Sequence, residues 1–195
     1  MYKRQGLKKE AVVSEESERV DWKSLERLNP MPDWLYDAKF GIYYSWGVFT
    51  VPEYDSEWYP RNMYDVKSKT YEYHKVKYGD QAVFGYHHLV PLFTATRFDA
   101  GEWALLAKEA GAGFAGPIAE HHDGFSMWKS EVNPWNAKDM GPKRDIVGEL
   151  QKAVTGQGMK FFVSFHHARQ LQRNAKEDNG GGSVSYTHLT LPTNS

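Results

Sequence analysis

The chain has 195 residues, of which 41% are hydrophobic and 15% aromatic, and its formal net charge is −1. This near-neutral charge argues against a nucleic-acid partner or an anionic membrane surface. No apolar run approaches the roughly 20 residues of a membrane span, and the absence of cysteine excludes disulfides and thiolate chemistry. The length is suited to one domain.

Both ends of the chain lack hydrophobic periodicity and helix caps. Residues 1–5 and residues 180–195 resemble translated sequencing-adapter DNA, and an ordinary disordered terminus is the alternative. We therefore expect residues 6–179 to be an internal fragment of a longer protein. Within it, residues 6–20 are charged and predict a linker or a frayed helix.

The first predicted elements lie between residues 32 and 47. The segment from Pro32 to Lys39 predicts a short helix behind a proline start signal. The aromatic-rich run from Phe40 to Gly47 predicts a strand. Residues 50–88 have no clear periodicity, which is typical of short helices or of a functional loop.

Two similar helix–glycine–strand units follow, and the first begins at Asp99. Asp99 predicts an N-cap with Glu102 as its partner in a capping box. Four apolar residues at helical spacing predict the buried face: Trp103, Leu106, Ala107 and Ala110. Gly111 and Gly113 predict the helix end, and residues 114–119 predict a buried strand that leads into His121-His122.

The second unit repeats this order from the cap at Asp145. Its predicted buried face has five apolar residues: Ile146, Val147, Leu150, Ala153 and Val154. Gly156 and Gly158 predict the helix end, and residues 160–165 predict a strand that leads into His166-His167. Successive helix–strand units predict parallel strands with crossover helices. We interpret them as the first three strands of a (β/α)8-like TIM barrel.

Polar groups follow the predicted second strand, in Glu120-His121-His122-Asp123. The carboxyl ends of barrel strands carry active sites, although buried histidines are also common as purely structural residues. Because adjacent strand residues face opposite sides, we expect only one ring of each His-His pair to enter the barrel mouth, unless the strand has already bent.

Hydrogen bonding to a sugar is the chemistry that these residues favour. Histidines on two neighbouring strands are also compatible with a metal, but His-x-His spacing is absent, so we expect no metal site and no cofactor. An imidazole donates and accepts at once, which suits vicinal hydroxyls. Glu57 and Trp58 place a carboxylate beside a ring that a sugar can stack on; a loop carboxylate next to a buried ring is the alternative. No convincing pair of hydrolytic carboxylates is visible.

Five motifs together resemble the alpha-L-fucosidases of glycoside hydrolase family 29. They occur in the family's order and cover residues 22 to about 168: Ala38-Lys39-Phe40-Gly41-Ile42, Trp46-Gly47-Val48, Glu57-Trp58-Tyr59, His121-His122-Asp123-Gly124-Phe125 and Gly141-Pro142-Lys143-Arg144-Asp145. The resemblance implies a catalytic barrel followed by a β-sandwich, and an intact protein that is secreted or periplasmic. It implies retaining hydrolysis of terminal alpha-L-fucosides on fucosylated glycans, through a covalent fucosyl-enzyme.

The resemblance also assigns individual residues. Glu57, Trp58, His121 and His122 match the family's Glu-Trp and His-His, which hold sugar hydroxyls. The family's nucleophile Asp and acid/base Glu follow the third strand, so we expect no catalytic residue inside this chain and no activity from it alone.

Two residues depart from the family pattern. Ser45 replaces a common histidine, and Ser164 replaces a common tyrosine on the third strand; His166 or His167 is the candidate to fill part of that gap. These departures leave the preferred sugar open and motivate a non-catalytic carbohydrate-binding relative as a second hypothesis. The paired histidines motivate a third, a metal-dependent barrel hydrolase.

Overall fold

The computed structural model describes residues 31–166, and the chain divides into two units, Met1–Asp37 and Ala38–Ser195. Helix α1 spans Asp33–Ala38, as predicted, and its first turn is closed by a 2.9 Å hydrogen bond from the Leu35 amide to the Pro32 carbonyl. The predicted linker, both predicted adapter ends and His167 lie outside the described residues.

A parallel sheet forms the centre of the second unit. Strand β1 spans Gly41–Tyr44 and β2 spans Phe114–Glu120. Two short strands, β3 (Lys160–Phe161) and β4 (Ser164–Phe165), both pair with β2. Every pairing between these strands is parallel. The predicted parallel arrangement with crossover helices is therefore confirmed.

The third predicted strand is interrupted, which corrects the expectation of a continuous strand over residues 160–165. The backbone carbonyl of Phe162 lies against the α-carbon of Gly116, in the space that a β-carbon would fill. Only glycine permits this approach. The pairing with β2 therefore stops after Phe161 and resumes at Ser164, where the partner is Ile118.

The segment between β1 and the first repeated unit consists of short helices, as its lack of periodicity predicted. Strand β1 is shorter than predicted: it ends at Tyr44, three residues before the predicted end and ahead of the 3-10 helix that begins at Val48. The helices are the 3-10 turn Val48–Thr50, α2 (Tyr59–Asn62), α3 (Lys69–Tyr78) and the 3-10 helix Tyr86–Leu92.

Helix α4 spans Ala100–Glu109 and begins at the predicted cap, because the Asp99 carboxylate accepts a 2.9 Å hydrogen bond from the Glu102 amide. Its buried face agrees with the prediction only in part: Ala107 is buried and Trp103 packs against the core, whereas Ala110 is exposed. Leu106 is 66% exposed, and the fully buried positions are Ala100, Ala104 and Ala107. These alanines also follow helical spacing, so periodicity alone did not distinguish the two faces.

Helix α5 spans Ile146–Gly156 and matches the prediction more closely. The Asp145 carboxylate accepts a 2.8 Å hydrogen bond from the Gly148 amide. Three of the five predicted apolar residues are buried and the other two pack against the core. Gly158 has φ +73°, a conformation that glycine adopts at little cost. The helix therefore ends where its glycines predicted.

The core lies between the sheet and these helices and extends beneath the loops that follow the strands. Tyr44 shows which face of β1 meets the helices, because its hydroxyl donates to the Trp103 carbonyl of α4 at 3.1 Å. Tyr43, its neighbour, faces the opposite side of the sheet. Phe125 and Met127 are buried in the same core, which anchors the loop after β2. No described helix has the length and apolar character needed to cross a membrane.

Candidate functional site

The loop after β2 folds back onto the end of its own strand. The Gly124 amide donates to the His121 carbonyl at 3.0 Å, and the Met127 amide donates to the Ala119 carbonyl at 2.8 Å. Gly124 has φ +71°, which favours glycine there. The loop thereby holds His121 and His122 at the carboxyl end of the sheet, both almost fully buried.

Glu120 fastens this loop. Its Oε2 accepts a 2.6 Å hydrogen bond from the buried Ser126 hydroxyl, which in turn accepts from Asn133 Nδ2 at 2.8 Å. The Glu120 backbone carbonyl accepts from the His166 amide at 2.9 Å. Glu120 thus links the ends of β2 and β4, and its carboxylate serves the scaffold.

Asp123, which the sequence left as a candidate acid without a visible partner, is a second anchor. Its Oδ2 accepts a 2.7 Å hydrogen bond from the Tyr86 hydroxyl, and its Oδ1 accepts from the Phe125 amide at 3.1 Å. Burial raises the pKa of Asp123 to about 6. The other candidate acid, Asp99, caps α4. Neither carboxylate is placed as a hydrolytic acid or base.

Three histidine rings converge beside these anchors. The centroids of His121 and His122 are 4.7 Å apart, and they lie 4.7 Å and 5.4 Å from the ring of His166. Both rings of the His121-His122 pair take part in this cluster, which is the exception allowed for a strand that has already bent. Strand β2 ends at Glu120, so the alternation of faces no longer applies to the two residues that follow.

Trp58 joins the same cluster from the loop that precedes α2. Its ring stacks on His122 with centroids 4.9 Å apart and an interplanar angle of 24°, and it meets His121 edge-on at 6.3 Å. Phe49 contacts His121 from another side at 5.3 Å. The structure thus brings together three of the four predicted site residues: Trp58, His121 and His122.

Glu57, the fourth, is half-buried and immediately precedes Trp58. The negative charge of Glu57 influences Tyr43. Burial is the main cause that raises the pKa of Tyr43, and the charge of Glu57 raises it further. Glu57 is therefore electrostatically coupled to the face of β1 that carries Tyr43.

Tyr43 is the site residue that sequence reasoning missed. Its hydroxyl lies 2.6 Å from Ser164 Oγ and 3.0 Å from His166 Nε2. The hydrogen bond thus joins β1 to β4. A signal existed in the sequence: neighbouring strand residues face opposite sides, so one of Tyr43 and Tyr44 had to lie on the face of the sheet away from the helices.

The two departures from the family pattern lie in different environments. Ser164 is fully buried beneath Tyr43, so a phenol hydroxyl is present beside the small side chain. Ser45 is exposed. Of the two candidates to fill the gap at Ser164, His166 lies within the cluster, whereas His167 is outside the described residues.

The imidazole of His121 is buried, and one of its two nitrogens lacks a hydrogen-bond partner among the described residues. That nitrogen is Nδ1. Burial, and then the neighbouring His122 and His166, lower the pKa of His121 to about 3. The ring is therefore neutral at physiological pH, with one nitrogen that donates and one that accepts.

The three histidines are also the group within the described residues whose ligand atoms lie close enough to share a metal ion. Each offers one nitrogen, and these nitrogens all lie within 4.8 Å of one another. The sequence had indicated histidines at the ends of two neighbouring strands as compatible with a metal, although the lack of His-x-His spacing argued against a site; the structure brings His166 of the later pair to His121 and His122.

Comparison with known proteins places these features in a family. The family model for alpha-L-fucosidase matches residues 6–193. Tissue alpha-L-fucosidase of Rattus norvegicus is 41% identical over 143 residues, which are 72% of this chain and 30% of the relative. Plasma alpha-L-fucosidase of Homo sapiens is 43% identical over 135 residues, which are 68% of this chain and 28% of the relative. The chain thus spans about a third of these relatives.

Solved structures agree. Thermotoga maritima alpha-fucosidase in complex with fucose superposes with a TM-score of 0.72 and 38% identity, covering 78% of this chain and 38% of that one. Alpha-L-fucosidase AlfC of Lactobacillus casei gives a TM-score of 0.58 and 28% identity, covering 72% and 41%. A strand-end cluster of histidines and tryptophan, a parallel sheet and these matches lead to one conclusion: the chain belongs to the alpha-L-fucosidase family.

Proposed function

We propose that residues 6–179 form the N-terminal part of the catalytic domain of a retaining exo-glycosidase that releases terminal alpha-L-fucose from glycans. The observation that carries this proposal is the cluster of Trp58, His121 and His122 at the carboxyl end of a parallel sheet in a chain of the alpha-L-fucosidase family. The carboxyl ends of barrel strands are where such enzymes bind substrates.

The described sheet fits the first part of a (β/α)8 barrel. Strands β1 and β2 supply the first two barrel positions, and β3 with β4 supplies the third. Helices α4 and α5 are the crossovers that precede the second and third positions. Closure of the barrel requires the remaining strands, which we place after this chain in the complete protein.

Sugar recognition follows from the chemistry of the cluster. The neutral His121 ring donates one hydrogen bond and accepts another, which matches a pair of hydroxyls on one sugar. The carboxylate of Glu57 accepts hydrogen bonds from sugar hydroxyls. Trp58 supplies an apolar wall beside these polar groups. Mixed walls of this kind orient a small ligand while excluding water from one side of it.

Bond cleavage needs a different pair of groups. Retaining hydrolysis requires a carboxylate nucleophile and a carboxylic acid on opposite sides of the glycosidic bond. Glu120 and Asp123 are engaged by Ser126 and Tyr86 in the scaffold. We therefore place the nucleophile Asp and the acid/base Glu after the third strand, and we expect residues 1–195 alone to be inactive.

The test is hydrolysis of a chromogenic alpha-L-fucoside by the complete protein. We expect turnover, and we expect NMR of the first product to show the alpha anomer, as retention requires. Glu57→Gln removes one carboxylate and is expected to raise KM strongly. Glu53→Gln, an exposed position in the same loop, is the matched control and is expected to leave KM unchanged.

Two outcomes would overturn the proposal. Folded protein that binds fucose without turnover would instead make the chain a carbohydrate-binding relative. Turnover that E57Q and E53Q change equally would separate the activity from the site described above.

A further inference from the structure

We propose that His121, His122 and His166 bind a divalent transition-metal ion of the zinc class, and that this ion occupies the sugar site as an inhibitor. His121 and His122 directly follow β2, and His166 directly follows β4, which pairs with β2. Each imidazole offers one nitrogen within 4.8 Å of the others. Such convergence of three imidazoles is a typical donor set for zinc.

The donor chemistry selects the kind of ion. The set consists of nitrogens alone, and the nearest anchoring carboxylates, Glu120 and Asp123, are hydrogen-bonded elsewhere. Imidazole suits zinc, copper and nickel, whereas magnesium and calcium require oxygen ligands. A second, independent observation points to a ligand: His121 is only 4% exposed, and its Nδ1 has no hydrogen-bond partner within residues 31–166.

The geometry requires only modest adjustment. Bonds of about 2.1 Å to a tetrahedral ion place its ligand nitrogens about 3.4 Å apart. The nitrogens of the cluster lie within 4.8 Å, so small rotations of the rings bring them into range. The rings are held near this arrangement by Trp58, which stacks on His122, and by Phe49, which contacts His121.

Tyr43 and Ser164 supply the outer support that such sites need. His166 Nε2 lies 3.0 Å from the Tyr43 hydroxyl, which lies 2.6 Å from Ser164 Oγ. This contact helps to hold the His166 ring beside those of His121 and His122. Partners of this kind fix the tautomer of a ligand histidine, and their loss weakens metal binding by about 10–100-fold.

Inhibition follows because the ion and the sugar use the same nitrogens. A lone pair that coordinates zinc is no longer available to accept a hydroxyl proton. Metal binding stands on the geometry alone, whereas its effect on the sugar rests on the proposed function. Zinc is then expected to raise KM for a fucoside without changing kcat.

The test is a titration of the untagged, complete protein with zinc chloride, measured by isothermal titration calorimetry. We expect one zinc per chain, and we expect cobalt to give the intense visible absorption of a tetrahedral complex. His121→Phe and His166→Phe are each expected to weaken zinc binding by about tenfold or more. His87→Phe is the matched control, because His87 belongs to another adjacent pair and is exposed.

Circular dichroism first establishes that each variant is folded; H166F alters a half-buried ring and keeps the test valid if H121F fails to fold. Absence of stoichiometric zinc binding, or equal weakening in H87F and H166F, overturns the metal site. Intact zinc binding in a protein that does not bind fucose overturns the proposed function alone. Zinc and fucose that bind together without competing overturn the shared site.

Discussion

Two buried histidines of this molecule, His74 and His121, differ in whether their nitrogens are satisfied. His74 on α3 is 0% exposed, its Nδ1 lies 2.7 Å from the Tyr59 hydroxyl, and its Nε2 lies 2.7 Å from the Phe84 carbonyl. His121 is 4% exposed, and its Nδ1 has no hydrogen-bond partner within residues 31–166. Burial lowers the pKa of both rings.

We interpret this difference as one between a structural histidine and a candidate ligand-binding one. A buried polar atom without a partner costs about 1–3 kcal/mol, a cost that a bound ligand can offset. His74 joins α3 to Tyr59 and Phe84. His121, in contrast, lies at the carboxyl end of a parallel strand. Burial and a lowered pKa are common to both residues, and hydrogen-bond satisfaction distinguishes them.

The largest expected effect comes from His121→Phe in the complete protein. Phenylalanine keeps a ring against Phe49 and His122 but removes both nitrogens. We expect kcat/KM for an alpha-L-fucoside to fall about 100-fold, which corresponds to about 2.7 kcal/mol of lost sugar contacts. The thermal midpoint is expected to change little, because no protein hydrogen bond at Nδ1 is lost. A large drop in midpoint with unchanged kcat/KM would make His121 structural as well.

The same substitution at His74 is expected to produce the opposite result. His74→Phe leaves the Tyr59 hydroxyl and the Phe84 carbonyl without their partner, and we expect the free energy of unfolding to fall by about 2 kcal/mol. Urea denaturation measures this change. The kcat/KM of the folded variant is expected to match that of the unaltered protein, so a fall comparable to that of H121F would erase the distinction.

Tyr43→Phe is expected to have an intermediate effect. It removes one hydroxyl and keeps the ring, which stacks on Phe162 with centroids 6.0 Å apart. His166 then loses its hydrogen bond, and we expect kcat/KM to fall about tenfold, as for one neutral hydrogen bond. Tyr44→Phe is the matched control, since its hydroxyl binds Trp103 on the helix side. Equal effects of Y43F and Y44F would contradict a role for the face of β1 that carries Tyr43.

Local patterns predicted the parts of the fold that depend on residues close in sequence. Asp99 and Asp145 cap the two helices as their spacing predicted, and β2 lies where its apolar run predicted it. The predicted buried face of α4 was wrong at Leu106 and Ala110 because two overlapping sets of apolar residues share helical spacing. Whether Leu106 or Ala104 is buried depends on which parts of the fold pack against the helix. The spacing of apolar residues within the helix does not reveal those contacts.

The sequence named part of the candidate site and little of its arrangement. Trp58, His121 and His122, three of the four residues named from the motifs, contact one another. The contribution of Tyr43 depends on its pairing across to Ser164, and the break in the third strand depends on the approach of Phe162 to Gly116. Both are contacts between strands more than 40 residues apart in sequence, which periodicity within one strand does not reveal.

Asp123 provides a pH-dependent comparison with His121. Burial raises the pKa of Asp123 to about 6 from its ordinary 3.8. The folded protein therefore takes up this proton before the unfolded chain does, and the contribution of Asp123 to stability is full below pH 3.8 and is lost as the pH rises through 6. His121 behaves oppositely: its folded pKa of about 3 lies below 6.5, so its contribution falls as the pH drops below 6.5.

The smallest expected effect tests this opposition. H121F removes a ring that the unfolded chain protonates first, so the variant is expected to gain stability relative to the unaltered protein as the pH falls. Between about pH 7 and about pH 5.5, we expect a relative gain of about 1 kcal/mol. Urea denaturation at both pH values measures it, with the exposed His87→Phe as the control. A relative loss at the lower pH would mean that His121 is charged in the folded protein, and the neutral ring on which sugar and metal binding both depend would be excluded.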